Sequence, residues 1–317
     1  MLDSLTHSSE KPVLVLGAAG IDMIGRLNDE IIMGTSNPAR INANFGGTAR
    51  NVAENLALLG QPVTFLSIVG EDDRGDQLLD KLAASGVDIA HVGRSVYHQT
   101  GAYMGIVNNT GELQVALDDM AIISEITSPY IRQSENLFKD ASLLFIDMNL
   151  PKKTLRTVMS LARKAKLPVC ADPTSTILAE KLKPFLNRIQ IITPNTAEAA
   201  LLSGMPIDTN RQEEAILAAK KLVSEGVEII IIAMAEFGVC YATSETSGQI
   251  PAIRTAILDP TGAGDALTAT FIFALLNDIP IDDAIRLGVS AASLTLAHPG
   301  AVIPDLSLEK LYDHLLI

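Results

Sequence analysis

Short runs of Val, Ile and Leu alternate along this chain with stretches whose apolar residues recur at helical spacing. Residues 12–17 form a continuous apolar run and read as a strand. Residues 48–59 carry Val52, Ala53, Leu56, Ala57 and Leu59 at helical spacing, and Gly60 follows where a helix ends in the left-handed region. The same rhythm predicts strands at 62–69, 143–147, 168–172, 189–193 and 227–234. It predicts helices at 74–85, 152–166, 176–186, 211–225, 264–276 and 282–297. Near-continuous apolar strands linked by helices define an α/β fold with a mostly parallel central sheet, covered by helices on both faces.

Two segments break the rhythm, at about 22–45 and 97–119. In the second, residues 100–107 and 112–117 flank Asn108-Asn109-Thr110-Gly111, a hairpin pattern with a Gly-bearing turn. Both segments read as β ribbons. We expect them to form a small β-sheet lid on a single α/β domain spanning residues 1–317.

Composition narrows the function. The chain has 24 Lys and Arg against 37 Asp and Glu, a formal charge of -13, and no basic run. A nucleic acid polymer is therefore not an expected partner, since its backbone calls for clustered cations. A small anionic substrate stays open, because a local site can oppose the net field. Cys170 and Cys240 lie in apolar runs and form no CxxC pair, so they read as buried thiols in a reducing compartment. Residues 1–11 lack an apolar signal core. The longest apolar run, 229–235, is far short of the roughly 20 residues a membrane span needs. We expect a cytoplasmic protein with no membrane partner.

The segment with the clearest chemistry is Asp259-Pro260-Thr261-Gly262-Ala263-Gly264-Asp265, which runs straight into a predicted helix. Small residues at 262–264 leave bare N–H groups at a helix N-terminus, which attracts anions. Asp265 falls in the first turn, where a carboxylate can take the proton of a hydroxyl attacking a phosphoryl group. A Gly-rich turn with an Asp supporting the cap gives the same local pattern.

This string resembles the C-terminal signature of the ribokinase-like, PfkB-type carbohydrate and nucleoside kinases. Phe45-Gly46-Gly47-Thr48-Ala49-Arg50-Asn51-Val52-Ala53, followed by Leu59-Gly60, resembles their N-terminal signature. The likeness runs from Gly17 to the tail near Pro304. It implies the ribokinase-like three-layer fold and an ATP-dependent kinase. Asp265 is then the catalytic base, with the backbone of Gly262, Ala263 and Gly264 as the anion site. Asp22, Gly46, Gly47 and Asn51 are implied to hold the acceptor: a carboxylate can accept from two vicinal hydroxyls, and glycines let the backbone approach. Arg50 and Asn44 flank these residues. Thr193-Pro194-Asn195-Thr196-Ala197-Glu198 resembles the family's N-x-x-E motif, which implies that Glu198 orients Mg²⁺-bound water near the nucleotide, with Asn195 alongside. The same two residues also fit a helix capping box. Gly238, Gly262 and Gly264 are implied nucleotide contacts. Asp259 and the loop 297–302 match a site for a monovalent cation such as K⁺.

One departure stands out. Family members often carry Thr-x-Gly before the surviving Gly238, and here Ala233 and Ala235 replace the hydroxyl and the glycine. Loss of one hydroxyl contact costs about 0.5–1.5 kcal/mol, enough to retune the nucleotide rather than abolish binding. His298 lies toward the nucleotide edge, and the apolar residues of 264–276 read as core. Residues 46–60, the lid text and 172–198 are most similar to the family's pseudouridine-phosphorylating members, which implies the 5′-hydroxyl of that nucleoside as acceptor. Ribose, fructose or a purine nucleoside are the alternatives, as is a regulatory protein that only binds a sugar or nucleoside. Tyr103 could stack on a base or pack within the lid; packing is the favoured expectation. Relatives also dimerise through the lid, so a homodimer is a further expectation.

Overall fold

The computed structural model describes residues 10–110 and 112–316. Residues 1–9 of the polar N-terminus, and Gly111 of the predicted hairpin turn, lie outside the described residues. In chain order the strands are β1 (Val13–Leu16), β2 (Gly20–Leu27), β3 (Ala39–Gly46), β4 (Val63–Leu66), β5 (Ile68–Gly70), β6 (Gly93–Ser95) and β7 (Gly101–Val107). They continue with β8 (Leu113–Asp119), β9 (Leu143–Asp147), β10 (Val169–Asp172), β11 (Ile191–Ile192), β12 (Ile229–Ala233), β13 (Val239–Thr243) and β14 (Ser247–Ile250). The main sheet has the order β14-β13-β12-β11-β10-β9-β1-β4. Six strands from β12 to β4 run parallel, and β13 and β14 close one edge antiparallel.

Alternation along the strands divides the core in two. Val13, Val15 and Phe145 pack with Leu56 and Phe271 on one face, whereas Leu14, Leu16, Leu144 and Ile146 pack with Val158 and Leu182 on the other. Both faces are therefore covered, as continuous apolar strands require. Cys170 and Cys240 are free and buried, and burial pushes the Cys240 thiol up to about 11. Among the described residues no helix is long and apolar enough to cross a membrane.

Three predicted elements differ in form. The run 62–69 divides at Ser67, whose hydroxyl donates to the Gly17 carbonyl at 2.6 Å. Beyond it, β5 leaves the main sheet and pairs with β6. The predicted helix 176–186 is one α-turn, Thr176–Ala179, followed by 3₁₀ turns over Glu180–Arg188. Pro184 lies inside and has no N–H for an α-type bond to Glu180. The run 189–193 is paired only at Ile191–Ile192, ahead of Pro194, which cannot donate to a ladder. The β13–β14 hairpin and the helices Ser128–Gln133, Leu137–Asp140, Thr196–Ser203 and Leu308–Leu315 are additional to the predicted set.

The two irregular segments contribute to one four-stranded sheet, ordered β3-β2-β7-β8. Asp22 pairs with Asn44 on one side and Tyr103 on the other, so these three share a face. Asn42 and Arg26 add to that polar face. The opposite face carries Met23, Ile41, Met104, Ile106, Val115 and Leu117. Tyr103 thus shares the face of Asp22 rather than the sheet's apolar side. Its register partner decides this: strict alternation puts any residue opposite Asp22 on the Asp22 face.

Candidate active site

The carboxyl ends of the parallel strands meet at one edge, where β1 has β4 on one side and β9 on the other. Order reverses there, and such a switch point opens a crevice in α/β sheets. The chain leaving β1 turns directly into β2, which carries Asp22. Asp147 ends β9 and Asp172 ends β10.

The helix Ala263–Leu276 starts at Gly262, which is left-handed at φ 79. A Cβ on Gly262 would lie 2.2 Å from the Ala301 carbonyl, so glycine is required both by conformation and by space. Gly262→Ala should cost about 2 kcal/mol or more, since positive φ and a backbone clash both penalise it; denaturant unfolding with an unchanged m-value checks this. Gly264 differs: a Cβ there meets nothing within 4 Å. Neither conformation nor packing demands that glycine. The open volume lies at a helix N-terminus with free amides, and a phosphoryl group fits that cradle. A second cavity, of about 520 Å³, begins at Ala263 and Gly264. It runs past Leu267, Val289, Ala233 and Gly238, an apolar lining suited to a flat heterocycle.

The Phe45–Ala53 segment meets the same point from the other side. Gly46 faces Asp22 so closely that a Cβ would lie 2.1 Å from its carboxylate. Gly47, at φ 95, starts the helix Thr48–Leu58 and passes within 2.6 Å of the Ala18 carbonyl at its Cβ position. Asn51 lies in that helix, and its Nδ2 donates to Asp265 Oδ2 at 2.7 Å. The two signatures, separated by 214 positions, therefore touch. Arg50 Nη1 donates to Asn51 Oδ1 at 2.5 Å and to the Phe45 carbonyl at 3.0 Å. Its other Nη bonds the buried Glu54. Occupying the Asn51 oxygen leaves only the amide NH₂ to face Asp265.

Electrostatics distinguish the carboxylates. Burial raises Asp265 to about 7, against the Asn51 hydrogen bond, with Asp22 and Asp147 adding repulsion. Its surface is half-buried although protein surrounds it, so it is desolvated yet reachable. Burial raises Asp22 to about 6, opposed by Arg50 and reinforced by Asp259. Asp172 is pushed well above its ordinary value by burial, then by Asp265 and Glu198. Asp147 is buried and raised by desolvation; its Oδ2 accepts from the amides of Ala18 at 2.7 Å and Ala49 at 3.2 Å. It thereby ties β1 to the acceptor helix. Asp147 and Asp172 were not read as site residues from sequence. Their signal was a strand run ending in Asp at the edge where the motifs meet.

Asn195 and Glu198 form the capping box: Asn195 Oδ1 accepts from the Glu198 amide and Glu198 Oε2 from the Asn195 amide, both at 2.9 Å. The Glu198 carboxyl is buried and raised, mainly by desolvation. Among the described residues no three His, Cys, Asp or Glu side chains converge to hold a metal directly. Yet Asp172 is repelled by both Asp265 and Glu198 across the crevice. A hydrated divalent cation fits that donor set, since Mg²⁺ keeps most of its waters. Asp259 accepts from the Thr261 amide at 2.9 Å and from the Gly300 amide at 3.0 Å, so it bridges the two loops. Gly238, at φ 88, has Ile250 O 2.1 Å from its Cβ position. Ala235 holds φ 48, retaining a conformation that suits the missing glycine.

A crevice at a switch point, with a carboxylate beside an amide cradle and a heterocycle-shaped cavity beyond, defines a phosphoryl-transfer class of site. Comparison with known proteins agrees: the pfkB family carbohydrate kinase pattern matches residues 11–307. The chain is 33% identical over 297 residues to the pseudouridine kinase of Escherichia coli K12, covering 93% of this chain and 94% of that one. It is 28% identical to the guanosine-inosine kinase of Exiguobacterium acetylicum, covering 93% and 97%. The structure of Arabidopsis thaliana ribokinase complexed with ribose and ATP superposes with a TM-score of 0.83 at 23% identity, covering 97% of this chain and 99% of that one. This chain belongs to the pfkB family of carbohydrate kinases and is a phosphotransferase acting on an alcohol group.

Proposed function

We propose that the chain transfers the terminal phosphoryl group of ATP to the 5′-hydroxyl of pseudouridine. The observation that carries the phosphoryl-transfer step is the Asn51–Asp265 contact beside the open space at Gly264. Asp22 and Asn51 hold the acceptor's hydroxyls. Asp265 takes the proton of the attacking hydroxyl as its oxygen bonds the terminal phosphorus and the bond from that phosphorus to the bridging oxygen breaks, releasing ADP. The amides of Ala263, Gly264 and Asp265 stabilise charge on the transferred group. Mg²⁺, held through water by Glu198 and neighbouring carboxylates, would offset the charge of the nucleotide phosphates. Gly238 shapes the wall against which the base lies. The choice of pseudouridine is supported by the 33% identical relative and by Tyr103, an aromatic side chain paired with Asp22 in the lid sheet, against which a base would stack.

ADP release measured against a panel of pseudouridine, uridine, guanosine, inosine, ribose and fructose tests the acceptor. The expected result is kcat/KM highest for pseudouridine. A higher value for ribose or a purine nucleoside reassigns the acceptor, and binding without turnover of any would favour a regulatory role.

The four-stranded sheet acts in this proposal as a lid on one α/β unit, excluding water during transfer. Its apolar face exposes Ile41 and Leu117, which supports pairing of two lids in a homodimer. A monomer in sedimentation at micromolar concentration would reject that pairing. The Asp259–Gly300 hydrogen bond brings a carboxylate and the two loops together, which supports a K⁺ site there. Unchanged activity on replacing K⁺ with a bulky organic cation would reject it.

A further inference from the structure

A separate cavity of about 410 Å³ lies beside the base of the lid, behind Arg50. The helix Asp73–Ala84 forms one wall and the loop after the helix Ile281–Leu296 another. Four basic side chains line it: Arg50, Arg74, Lys81 and His298. No Asp or Glu is among the lining residues. In a chain of net charge -13 this is a local inversion of sign. Glu54, behind the wall, pairs with Arg50 and, at 3.1 Å, with Lys81; Asp22 and Asp265 also act on Arg50 from the reaction side, and Asp305 on His298.

A second observation is independent of charge. Among the described residues, four buried side-chain polar atoms have no hydrogen-bond partner: Arg50 Nε, Asn55 Oδ1, Thr270 Oγ1 and His298 Nδ1. Two of the four belong to residues lining this one cavity. A buried donor left without an acceptor costs about 1–3 kcal/mol, so such atoms call for an explanation. Arg50 is 2% exposed, and its Nη atoms are anchored to Phe45, Asn51 and Glu54. The guanidinium therefore cannot swing to satisfy Nε elsewhere. Arg74 makes no ion pair among the described residues. Ile21, Phe45, Val302 and Pro304 supply apolar surface for the body of a ligand.

We propose that this cavity binds a small organic phosphomonoester, with its phosphate against Arg74 and Lys81, beside the buried Arg50. Guanidinium and ammonium groups around a doubly charged oxyanion give charge-assisted hydrogen bonds, the strongest available to a surface cavity. The ligand can come from two sources. One is the product of this enzyme, itself a phosphomonoester. The other is an unrelated metabolite of the same chemistry. In either case the bound anion lies against Arg50, the residue that orients Asn51 toward Asp265, and so it communicates with the reaction site without overlapping it.

The test is isothermal titration of phenyl phosphate into the full chain, with ADP and Mg²⁺ saturating so that the cradle at Gly264 is occupied. Wild type is expected to bind. The double variant Arg74→Gln, Lys81→Gln is expected to bind at least about tenfold more weakly, while kcat without added anion stays close to wild type and thermal unfolding is unchanged. A parallel arm titrates the 5′-phosphate product; binding lost in the same variant assigns the product as occupant, whereas binding of phenyl phosphate alone assigns another phosphomonoester. Absence of binding to wild type, equal binding to the double variant, or binding abolished by ADP would each overturn the proposal. Because binding is read without turnover, none of these outcomes alters the phosphoryl-transfer reading.

Discussion

Asp265→Asn lowers kcat by about 10³-fold and leaves the KM for the acceptor within a few-fold of wild type. General-base catalysis supplies roughly 10²–10⁴-fold, and an amide cannot accept the proton. The geometry explains why binding survives. Asn51 donates to Asp265 Oδ2, and an asparagine can present its carbonyl oxygen to the same donor. Asp22, Gly46 and Gly47 are untouched. Steady-state kinetics with a coupled ADP assay measure both parameters, and near-normal kcat would remove Asp265 from the base role.

The same residue sets the pH behaviour. Its folded value is raised from 3.8 to about 7 by burial and by the neighbouring Asp22 and Asp147. Activity should therefore fall as pH drops below about 7, because the base becomes protonated. Asp22, raised to about 6, steepens the fall at lower pH. The linkage to stability has the opposite sense. The folded state binds this proton more tightly than the unfolded chain, so the stabilisation is full below about pH 4 and is lost as pH rises through about 7. Asp265→Asn removes a desolvated charge and should melt at a higher temperature than wild type at pH 8. The two proteins should converge only below about pH 4. This is the stability–activity trade expected where a site keeps an acid out of water.

Gly264→Ala is the second large effect. The added Cβ meets no protein atom within 4 Å, and alanine is the better helix former. The variant should be as stable as wild type or slightly more so. The methyl group nevertheless occupies the space in which the transferred phosphoryl group must lie against the helix amides. Losing one such donor costs about 10²–10³-fold in rate, so kcat/KM should fall by at least about 10²-fold. The contrast with Gly262→Ala is informative. That change destabilises through Ala301 and a left-handed backbone, whereas Gly264→Ala acts only on the reaction. A drop in melting temperature with unchanged kinetics at position 264 would contradict the cradle.

The parallel strands were legible because Val, Ile and Leu in unbroken runs have few other places to go. Leu143–Asp147 is placed by its composition to the residue. The lid was legible as a failure of helical spacing, and its faces follow from alternation once Asp22 is paired with Tyr103. Elements that depend on tertiary partners were not. Ser67 ends β4 only because Gly17 is nearby to accept its hydroxyl, a contact 50 positions away. The β13–β14 edge pairs by register rather than by any strong local pattern. In the site, motif residues were found because glycines and carboxylates at fixed spacing carry their chemistry locally. Arg50 was recognised as a neighbour, but its orienting bond to Asn51 depends on where Glu54 and Phe45 anchor the guanidinium. Asp147 and Asp172 gain significance only when adjacent strands align their ends, which no single segment reveals.

In the proposed reaction Asp265 contacts the hydroxyl that is phosphorylated while the helix amides at Gly264 hold the transferred group. A crystal structure of the chain with a non-hydrolysable ATP analogue, Mg²⁺ and the accepted alcohol tests it directly. The reacting hydroxyl is expected about 2.6–3.2 Å from an Asp265 carboxylate oxygen, with the terminal phosphate against the Gly264 amide. A hydroxyl bound elsewhere in the crevice, with Asp265 turned away and still bonded only to Asn51, would contradict it.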